Sequence, residues 1–280
     1  MTTRPDIPYD GPATGGRCRA RGLGAMFALL IAPVAGMAQS DQQMNDANNP
    51  LTPTLTANLQ DQWAPQLYDS DNSTNALLLR GVLPHLFGGM PQILRATLPI
   101  ATAPSTSGSG NTTGLGDLNL FDLALFKEQG LVLGIGPQLT LPTASDQALG
   151  TGKWQAGLAA VAIAPQTWGL LGGLVTWQHS FAGESDRPTQ NNLTVQPFFI
   201  YNLPQGVYLR STAIWNFDLA RSNYAIPIGA GVGKVFAQSD GSTINLFAEP
   251  QWTVIHHGAG QPKFQLFAGV NFQFPVNKKQ

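Results

Sequence analysis

The sequence predicts an all-β fold, a single transmembrane antiparallel β-barrel of about twelve strands behind an N-terminal signal peptide. The first observation is the length of its alternating segments. From Thr243 to Ile255, and again from Phe264 to Phe274, apolar and polar residues alternate almost without a break. This period-two pattern is typical of β-strands. Soluble sheets use strands of about 5–6 residues, whereas about 9–11 residues are needed to cross a bilayer.

The second observation is composition. Charged residues make up 11% of the 280 residues, and hydrophobic residues make up 43%. A soluble globular domain carries roughly 25% charged residues. Low charge with ordinary apolar content is expected when lipid-facing and lumen-facing residues alternate along each strand. The formal net charge of −1 lacks the basic excess of nucleic-acid-binding proteins, so we expect no nucleic-acid partner.

The third observation is the number and spacing of the strands. The pattern predicts strands at 51–64, 73–83, 90–100, 115–127, 130–142, 152–164, 167–181, 191–203, 206–219, 223–237, 241–255 and 262–274. Twelve is an even number, as in bacterial single-chain barrels. Short turns and longer polar loops mostly alternate between the strands, apart from a brief link near Arg221. Outer-membrane barrels show this alternation, with the short turns on the periplasmic side.

Residues 1–38 have the features of a cleaved secretory signal. A basic region around Arg19 precedes an apolar stretch from Leu23 to Val34, and small residues end at Ala38. This pattern predicts cleavage before Gln39 and export across the inner membrane. Together with the barrel pattern, it predicts that the protein lies in the outer membrane of a Gram-negative bacterium.

The segments on either side of the barrel are predicted to be irregular. Residues 39–50 are rich in Asn, Gln and Asp, which indicates a flexible periplasmic lead-in. The barrel is expected over residues 51–274, and residues 275–280 form a C-terminal tail. The only cysteine, Cys18, lies in the predicted signal, so we expect no cysteine in the mature chain.

The first strand has an alternative interpretation. Alternation from Leu51 to Trp63 predicts a strand, but a short amphipathic plug helix from Leu55 to Trp63 fits the same residues. The sequence leaves both interpretations open.

Strand parity predicts which polar side chains enter the lumen. Charged groups are costly against lipid and acceptable in a wet interior. The candidates for lining the lumen and setting its selectivity are Arg80, Arg95, Asp117, Lys153, Gln155, Gln178, Arg210, Asp218, Glu249 and Gln251. Asp186 and Arg187 are candidates on an outer loop. Opposed charges filter polar solutes across a pore, but the same groups could hold a narrow barrel closed, and the sequence does not decide between these roles.

If Lys153 and Arg210 set selectivity, replacing either residue by Glu is expected to change ion preference without preventing assembly.

Two features conflict with uniform strands. Proline removes a ladder hydrogen bond, so the prolines inside predicted strands are expected to mark bulges or strand ends. They are Pro99, Pro137, Pro197, Pro227 and Pro250. Asp122 also has the opposite parity to Asp117 and Asn119, which predicts a bulge between them.

Glycines alternate at Gly229, Gly231 and Gly233 within one predicted strand. A phosphate-binding loop would need glycines before a helix N-terminus. We therefore interpret them as a stripe of small residues that lets another group lie close to the barrel wall.

No catalytic or metal constellation is evident. His179 and Ser180 are adjacent, but neighbouring strand residues point to opposite faces and cannot act together as base and nucleophile. His256 and His257 have no carboxylate or cysteine at ligand spacing. We therefore expect no enzyme activity, no metal and no cofactor.

Several ordered segments resemble one family of barrels. They are Gly114-Leu-Gly-Asp-Leu118, Leu139-Thr-Leu-Pro-Thr-Ala144, Leu149-Gly-Thr-Gly-Lys-Trp154, Ser180-Phe-Ala-Gly183 with Asp186-Arg187, Gln196-Pro-Phe198, Ile228-Gly-Ala-Gly-Val-Gly-Lys-Val235 and Phe272-Gln-Phe-Pro275. Over roughly residues 50–274 the chain resembles the MetA-pathway phenol-degradation transporter-like outer-membrane proteins. The resemblance implies a roughly twelve-stranded barrel and passage of small, often hydrophobic or aromatic compounds, with no catalytic set.

The favoured function is therefore a channel for passive or substrate-selective passage of small solutes, and the alternative is a closed barrel with a structural or surface-interaction role. A soluble β-sandwich is disfavoured by strand length. The expected partners are outer-membrane lipid, a small-molecule solute and the outer-membrane assembly machinery. Many barrels end on an aromatic residue that this machinery reads, whereas here Phe274 is followed by Pro275–Gln280.

Overall fold

The fold is defined here by a computed structural model that describes residues 40–106 and 110–276. The predicted signal peptide, its cleavage site and Cys18 lie outside the described residues, as do the last four residues of the predicted tail.

The described chain is almost entirely β-structure. One helix, α1 (Asp41–Asn48), precedes the strands, and a 3-10 turn, Pro204–Gly206, lies between two of them. The strands are β1 (Leu55–Leu67), β2 (Thr74–Phe87), β3 (Met90–Pro104), β4 (Asn111–Leu115), β5 (Leu118–Glu128), β6 (Leu131–Leu141), β7 (Lys153–Gln166), β8 (Gly169–Gly183), β9 (Asn191–Asn202), β10 (Val207–Ser211), β11 (Trp215–Asp218), β12 (Asn223–Gly229), β13 (Gly231–Ala237), β14 (Thr243–His257) and β15 (Pro262–Phe274).

These segments form one closed antiparallel barrel of twelve strands. Three barrel strands are each interrupted once, which divides them into β4 and β5, β10 and β11, and β12 and β13. The barrel closes because β1 pairs with both β2 and β15. The predicted fold class is thus confirmed, and β1 is a strand over residues for which a plug helix was the alternative. No helix within the described ranges is long and apolar enough to cross a membrane.

Each interruption lies opposite a proline of the neighbouring strand. Pro99 of β3 faces the break at 116–117, Pro197 of β9 faces the break at 212–214, and Pro250 of β14 faces the break at 230. Proline has no N–H to donate to the ladder, so the adjacent strand loses continuity at that point. Three of the five conflicting prolines therefore mark the places where a neighbouring strand is broken.

The other two prolines behave differently. Pro227 coincides with a register shift between β12 and β14, as expected for a bulge. Pro137 lies where two residue pairs are missing from the ladder of β5 and β6, although the register is the same on either side. The bulge predicted near Asp122 is therefore wrong. β5 keeps its phase, with Phe121 and Leu123 buried on the inner face, and Asp122 points outward to His85 at 3.0 Å.

The connections fall into two sets, one at each end of the barrel. At one end they are 88–89, 129–130, 167–168, 203–206 and 238–242; at the other they are 68–73, 105–110, 142–152, 184–190, 219–222 and 258–261. Short and long connections alternate as far as β9, whereas the last four connections are all of four or five residues. The first set shares its end of the barrel with the start of β1 and the end of β15. By analogy with outer-membrane barrels, we call this the periplasmic end and the opposite one the outer end.

The outer face of the wall is apolar. Its exposed side chains include Leu59, Trp63, Leu79, Ile135, Trp154, Leu158, Val175, Trp177, Leu209, Ile228, Trp252 and Val254. A band of this kind is stable when lipid rather than water covers it.

The lumen is less polar than predicted. Inward residues of β3 to β9 include the buried side chains of Ile93, Leu123, Val161, Leu174 and Ile200. The strands that carry them are apolar at both parities, as in the run Leu158–Ile163. Apolar residues therefore occupy the inner face as well as the lipid-facing one.

Helix α1 corrects the prediction of a flexible lead-in over 39–50. Ser40 caps it: the Ser40 hydroxyl accepts from the Gln43 N–H, and the Gln43 side chain accepts from the Ser40 N–H. Met44 and Ala47, one helical turn apart, are 2% and 5% exposed within the barrel. The polar composition indicated disorder, but the capping box and the burial of these two residues stabilise a helix.

Candidate functional site

A cavity of about 150 Å³ lies in the lumen next to α1. Residues 47–52, the end of α1 and the chain that follows it, form one side of this cavity. The wall strands form the rest. α1 therefore narrows the lumen at the periplasmic end, and the cavity lies against it.

The wall of the cavity has two chemically different halves. The mainly polar half comes from β14, β15, β1 and β2; it contains Asn245, Asn271, Gln273, Thr56, Asn58, Gln60 and Arg80, together with the apolar Val82 and Phe267. The mainly apolar half comes from β3 to β9; it contains Ile93, Phe121, Leu123, Val161, Leu174, Phe198 and Ile200, together with the polar Arg95 and Gln196. A solute in this space thus meets hydrogen-bonding groups on one side and hydrocarbon on the other.

Arg80 and Arg95 are two of the predicted lumen residues that line the cavity. Arg80 Nε donates to Thr97 Oγ1 at 3.1 Å, and Nη1 donates to Gln60 Oε1 at 2.8 Å. The Arg95 guanidinium lies 3.9 Å from the centre of the Phe121 ring. Its buried Nε has no hydrogen-bond partner among the described residues. Within the same ranges, neither arginine forms an ion pair.

Arg210 also lines the cavity, but it is tied to Glu249. Arg210 Nε donates to Glu249 Oε2 at 2.7 Å, and the side chains are 9% and 0% exposed. Glu249 also accepts from the Thr212 N–H and hydroxyl, each at 2.7 Å, and from Gln251 Nε2 at 3.1 Å. This carboxylate has a donor on each oxygen, as a buried charge requires.

The break opposite Pro197 makes this network possible. It leaves the Thr212 N–H and C=O outside any ladder, and side chains satisfy them instead: Glu249 accepts from the N–H, and Gln196 Nε2 donates to the carbonyl at 2.9 Å. Strand parity places Thr212 on the same face as Arg210, but the contacts of Thr212 and Gln196 in this network depend on strand pairing, which parity does not give.

The glycine stripe accommodates side chains of the wall itself. A Cβ on Gly229 would lie 2.2 Å from a Glu249 oxygen, and a Cβ on Gly233 would lie 2.2 Å from Tyr208 Cζ. Tyr208 is fully buried and donates to Asn245 Oδ1 at 2.7 Å. The small residues therefore let Glu249 and Tyr208 pack flat against the neighbouring strand.

The predicted glutamines are engaged in hydrogen bonds. Gln178 Oε1 accepts from Gln138 Nε2 at 3.0 Å and from Thr140 Oγ1 at 2.9 Å. Gln155 Nε2 donates to Thr151 Oγ1 at 3.1 Å. Gln251 links Glu249 to Gln265, whose Nε2 donates to Gln251 Oε1 at 3.3 Å. These bonds join β8 to β6 across β7, the start of β7 to the loop before it, and β14 to β15. The three glutamines do not line the cavity.

The remaining charged candidates lie toward the outer end. Asp117 accepts from the Thr151 N–H at 2.7 Å, the Lys153 ammonium donates to the Glu184 carbonyl, and Asp218 pairs with Arg221 at 2.6 Å.

Arg187, a candidate residue on an outer loop, joins its loop to the preceding outer loop. Arg187 Nε donates to the Thr151 carbonyl at 3.2 Å, and its Nη2 donates to Gln147 O at 2.8 Å and to the Gly150 carbonyl. Asp186 is exposed. Arg187 thus binds one outer loop to the next and contributes nothing to the cavity.

The adjacent pair His179 and Ser180 does not act as base and nucleophile on one face of the described strand β8. His179 and Ser180 occupy opposite faces of β8, and the Ser180 hydroxyl accepts from the Gln190 N–H at 3.0 Å. His256 stacks on Tyr68 with ring centres 3.4 Å apart. No group of three or more His, Cys, Asp or Glu residues suited to a metal occurs in residues 40–106 and 110–276.

Sequence reasoning missed the residues that hold α1. Asn45 Nδ2 donates to Gln166 O at 2.7 Å, and Asn202 Nδ2 donates to Asn45 Oδ1 at 3.0 Å. From β14 and β15, Asn245 and Gln273 donate to the Ala47 carbonyl at 3.2 and 3.1 Å. The only sequence signal was the Ser40-x-x-Gln43 spacing of a capping box.

The fold and this lumen define an outer-membrane type of β-barrel. The chain shares its fold with an outer-membrane channel from Pseudomonas putida F1, at a TM-score of 0.61 and 16% identity over 79% of this chain and 96% of that one. The Escherichia coli outer-membrane phospholipase A aligns at a TM-score of 0.41 and 13% identity over 83% and 97% of the two chains. The β domain of a Bordetella autotransporter aligns at 0.40 and 13% over 79% and 100%. Scores below 0.5 do not define a common fold.

No protein-family profile and no curated protein matches the chain. Membership of the MetA-pathway phenol-degradation transporter-like family therefore stays a prediction from the sequence segments.

Proposed function

We propose that this protein is a channel of the bacterial outer membrane for small solutes and that α1 controls its periplasmic end. The observation that carries this proposal is the closed barrel whose lumen holds a solute-sized cavity against a short helix. The protein from Pseudomonas putida F1 with the same fold is described as an outer-membrane channel, which supports the proposal at the level of the class.

The two halves of the cavity wall favour solutes that are partly apolar. Ile93, Phe121 and Leu123 offer hydrocarbon and aromatic surface, whereas Gln60 and Arg80, on the adjoining strands β1 and β2, offer hydrogen bonds. A purely polar solute would gain nothing from the first group, and a purely apolar one would leave the second without partners. Substrate selectivity is therefore assigned to this cavity.

α1 has the properties of a removable plug. It is eight residues long, and isolated helices shorter than about 12–15 residues are marginal in water. Wall residues hold it mainly through side-chain amides, among them Asn245 and Gln273, and no strand ladder includes it. It can leave the lumen without breaking the barrel, because β1 begins at Leu55, beyond its end.

Single-channel conductance in planar bilayers tests the proposal. The refolded chain from Gln39 to Gln280 is compared with an Ala47→Cys/Gln273→Cys variant treated with a short bifunctional thiol reagent. We expect discrete conductance steps from the parent and from the untreated variant, and their loss after cross-linking of α1 to β15. Each single-cysteine variant with the same reagent is the control. Unaltered conductance after complete cross-linking would contradict the role of α1.

A closed barrel with a structural or surface-interaction role is the second candidate, and the position of α1 in the lumen favours it. The discriminating variant carries prolines at Met44 and Ala47, which prevent helix formation. If the parent and this variant both fold into heat-modifiable barrels and both stay silent, the closed barrel is the better description.

Export, assembly and membrane placement are part of the same proposal. Phe274 ends β15, its side chain is 44% exposed, and it pairs with Leu55 at the closing seam. We propose that the assembly machinery reads this aromatic end despite the tail that follows. Replacing Phe274 by Ser is expected to lower the amount of heat-modifiable barrel in outer-membrane fractions. An unchanged amount of heat-modifiable barrel would contradict this role of Phe274.

A further inference from the structure

Two positive charges face the cavity side by side. Arg80 pairs with Thr97 and Arg95 pairs with Val82 across β2 and β3. The two arginines are therefore diagonal neighbours on the inner face, a relation that places Cα atoms about 7–8 Å apart. Like charges at this separation repel. Among the residues that line the cavity there is no Asp or Glu to compensate them.

Hydrogen-bond donors of both guanidinium groups remain free. Each guanidinium has five N–H donors in a planar fork. Within the described chain Arg80 uses two of its nitrogens, toward Thr97 and Gln60, and the Arg95 Nε lacks a partner. Phe121 supports the face of the Arg95 guanidinium, which leaves the edge of the fork available. Planar forks of this kind match carboxylates.

Apolar surface adjoins these donors. Ile93 lies two residues from Arg95 on β3, and Phe121 is the direct partner of Arg95 on β5, followed on the same face by Leu123. The cavity of about 150 Å³ is comparable to cavities that admit benzene. There is thus room for a body of about six carbon atoms beside the two guanidinium groups.

We propose that Arg80 and Arg95 bind the carboxylate of a small organic acid whose apolar body lies against Ile93, Phe121 and Leu123. This inference deepens the proposed channel function and rests on it for the passage of the acid across the membrane. Binding itself is a property of the folded barrel.

Equilibrium binding to the detergent-folded chain, measured by titration calorimetry, tests the site. The probes are hexanoate and benzoate, with hexanamide and benzamide as uncharged analogues and acetate as a carboxylate without a body. The variants are Arg95→Gln and Arg80→Gln/Arg95→Gln. Lys127→Gln is the matched control, because Lys127 is an exposed cation of β5 beside a periplasmic turn. Heat-modifiability on gels checks that each variant is folded.

We expect the parent and Lys127→Gln to bind both acids equally well. A lost hydrogen bond to a charged group corresponds to about 10–100-fold weaker binding in Arg95→Gln, and the double variant loses more. Amides are expected to bind about as weakly to the parent as the acids bind to the double variant. Acetate is expected to bind at least about tenfold more weakly than hexanoate, which has four more methylene groups.

Three results would overturn the inference. They are equal affinity of the acid and its amide, equal affinity of the folded double variant and the parent, or an absence of acid binding by the folded parent. If acetate bound as tightly as hexanoate, the apolar residues would make no contribution to binding.

Conductance separates this inference from the proposed function. A barrel that conducts but binds no acid would support the channel function and contradict the carboxylate site. A barrel that does not conduct but binds hexanoate through Arg80 and Arg95 would support the site and contradict the channel function.

Discussion

Three arginines line the same cavity, but they differ in the groups that they contact. Arg210 is held by Glu249 and Thr212 and stacks 3.8 Å from the centre of the Phe247 ring. Arg80 and Arg95 have hydrogen bonds to neutral groups or an aromatic contact, but no carboxylate within the described chain. The comparison indicates that an inward charge is not by itself a sign of selectivity. The network around Arg210 joins strands of the wall, whereas the other two charges are the ones that we propose bind a solute.

The largest expected effect comes from breaking the Arg210 network. Glu249→Gln leaves a buried guanidinium without a carboxylate and is expected to lower the free energy of unfolding by about 3–5 kcal/mol. Urea titration followed by tryptophan fluorescence measures this change. Glu128→Gln, at an exposed glutamate of β5, is the control and should match the parent. Equal stability of the two variants would mean that the network does not support the wall.

The structure also revises an expectation from the sequence. Arg210→Glu was expected to change ion preference in an assembled barrel. It would place a second carboxylate beside the fully buried Glu249, so failure to assemble is now expected. Lys153 lies at the outer loops rather than in the cavity, and the selectivity test moves to Arg80 and Arg95.

The next largest loss of stability is expected when the contact between Arg95 and Phe121 is removed. Phe121→Leu removes the ring beneath the guanidinium and is expected to cost about 1–2 kcal/mol of stability. A double-mutant cycle with Arg95→Gln isolates the contact, and we expect a coupling of about 0.5–2 kcal/mol. Strict additivity of the two changes would show that the ring does not hold the guanidinium.

Removal of an unpaired charge should have a smaller effect. Arg95→Gln loses the aromatic contact, but it also removes a guanidinium without a counter-charge and its repulsion from Arg80. These effects oppose each other, so the free energy of unfolding is expected to stay within about 1 kcal/mol of the parent. The same urea titration measures it. A loss as large as that of Glu249→Gln would erase the distinction between the two kinds of arginine.

The smallest effect is expected at the outer end. Asp218 and Arg221 form a pair 2.6 Å apart whose side chains are 20% and 41% exposed. Exposed pairs contribute little, so Asp218→Asn is expected to change stability by at most about 0.5 kcal/mol. Thermal stability of the refolded barrel in detergent, read from heat-modifiability, is a sufficient check. A markedly lower transition temperature would place Asp218 among the residues that support the fold.

The alternation of residue types along each strand predicted which face a side chain occupies. It did not predict which residues of other strands that side chain contacts. The faces of β14 follow from alternation alone. Glu249 and Gln251 have one parity and are buried, whereas Trp252 and Val254 have the other parity and are exposed. The contact of Arg210 with Glu249 joins residues 39 positions apart. It depends on the order of β10, β13 and β14 and on the break opposite Pro197, which no local pattern encodes.

Asp122 and α1 illustrate the same limit. Asp122 was assigned a bulge because an outward carboxylate is unfavourable against lipid, and its partner His85, 37 residues earlier, was not foreseeable. The composition of 39–50 indicated disorder, whereas burial of Met44 inside the barrel stabilises a helix there. In both cases a contact from a distant strand outweighs the local preference.

The uncompensated pair of Arg80 and Arg95 also contributes to the electric potential in the cavity. The chain as a whole has a formal charge of −1, yet an ion in the lumen mainly experiences the nearest charges. At 10 Å, one guanidinium attracts a monovalent anion by about 1.7 kcal/mol for an effective dielectric constant of about 20. The surrounding hydrocarbon wall concentrates this field along the axis. The cavity beside these two arginines is therefore electropositive although the protein is slightly acidic, and the overall isoelectric point is a poor guide to the sign of the charge that a solute meets there.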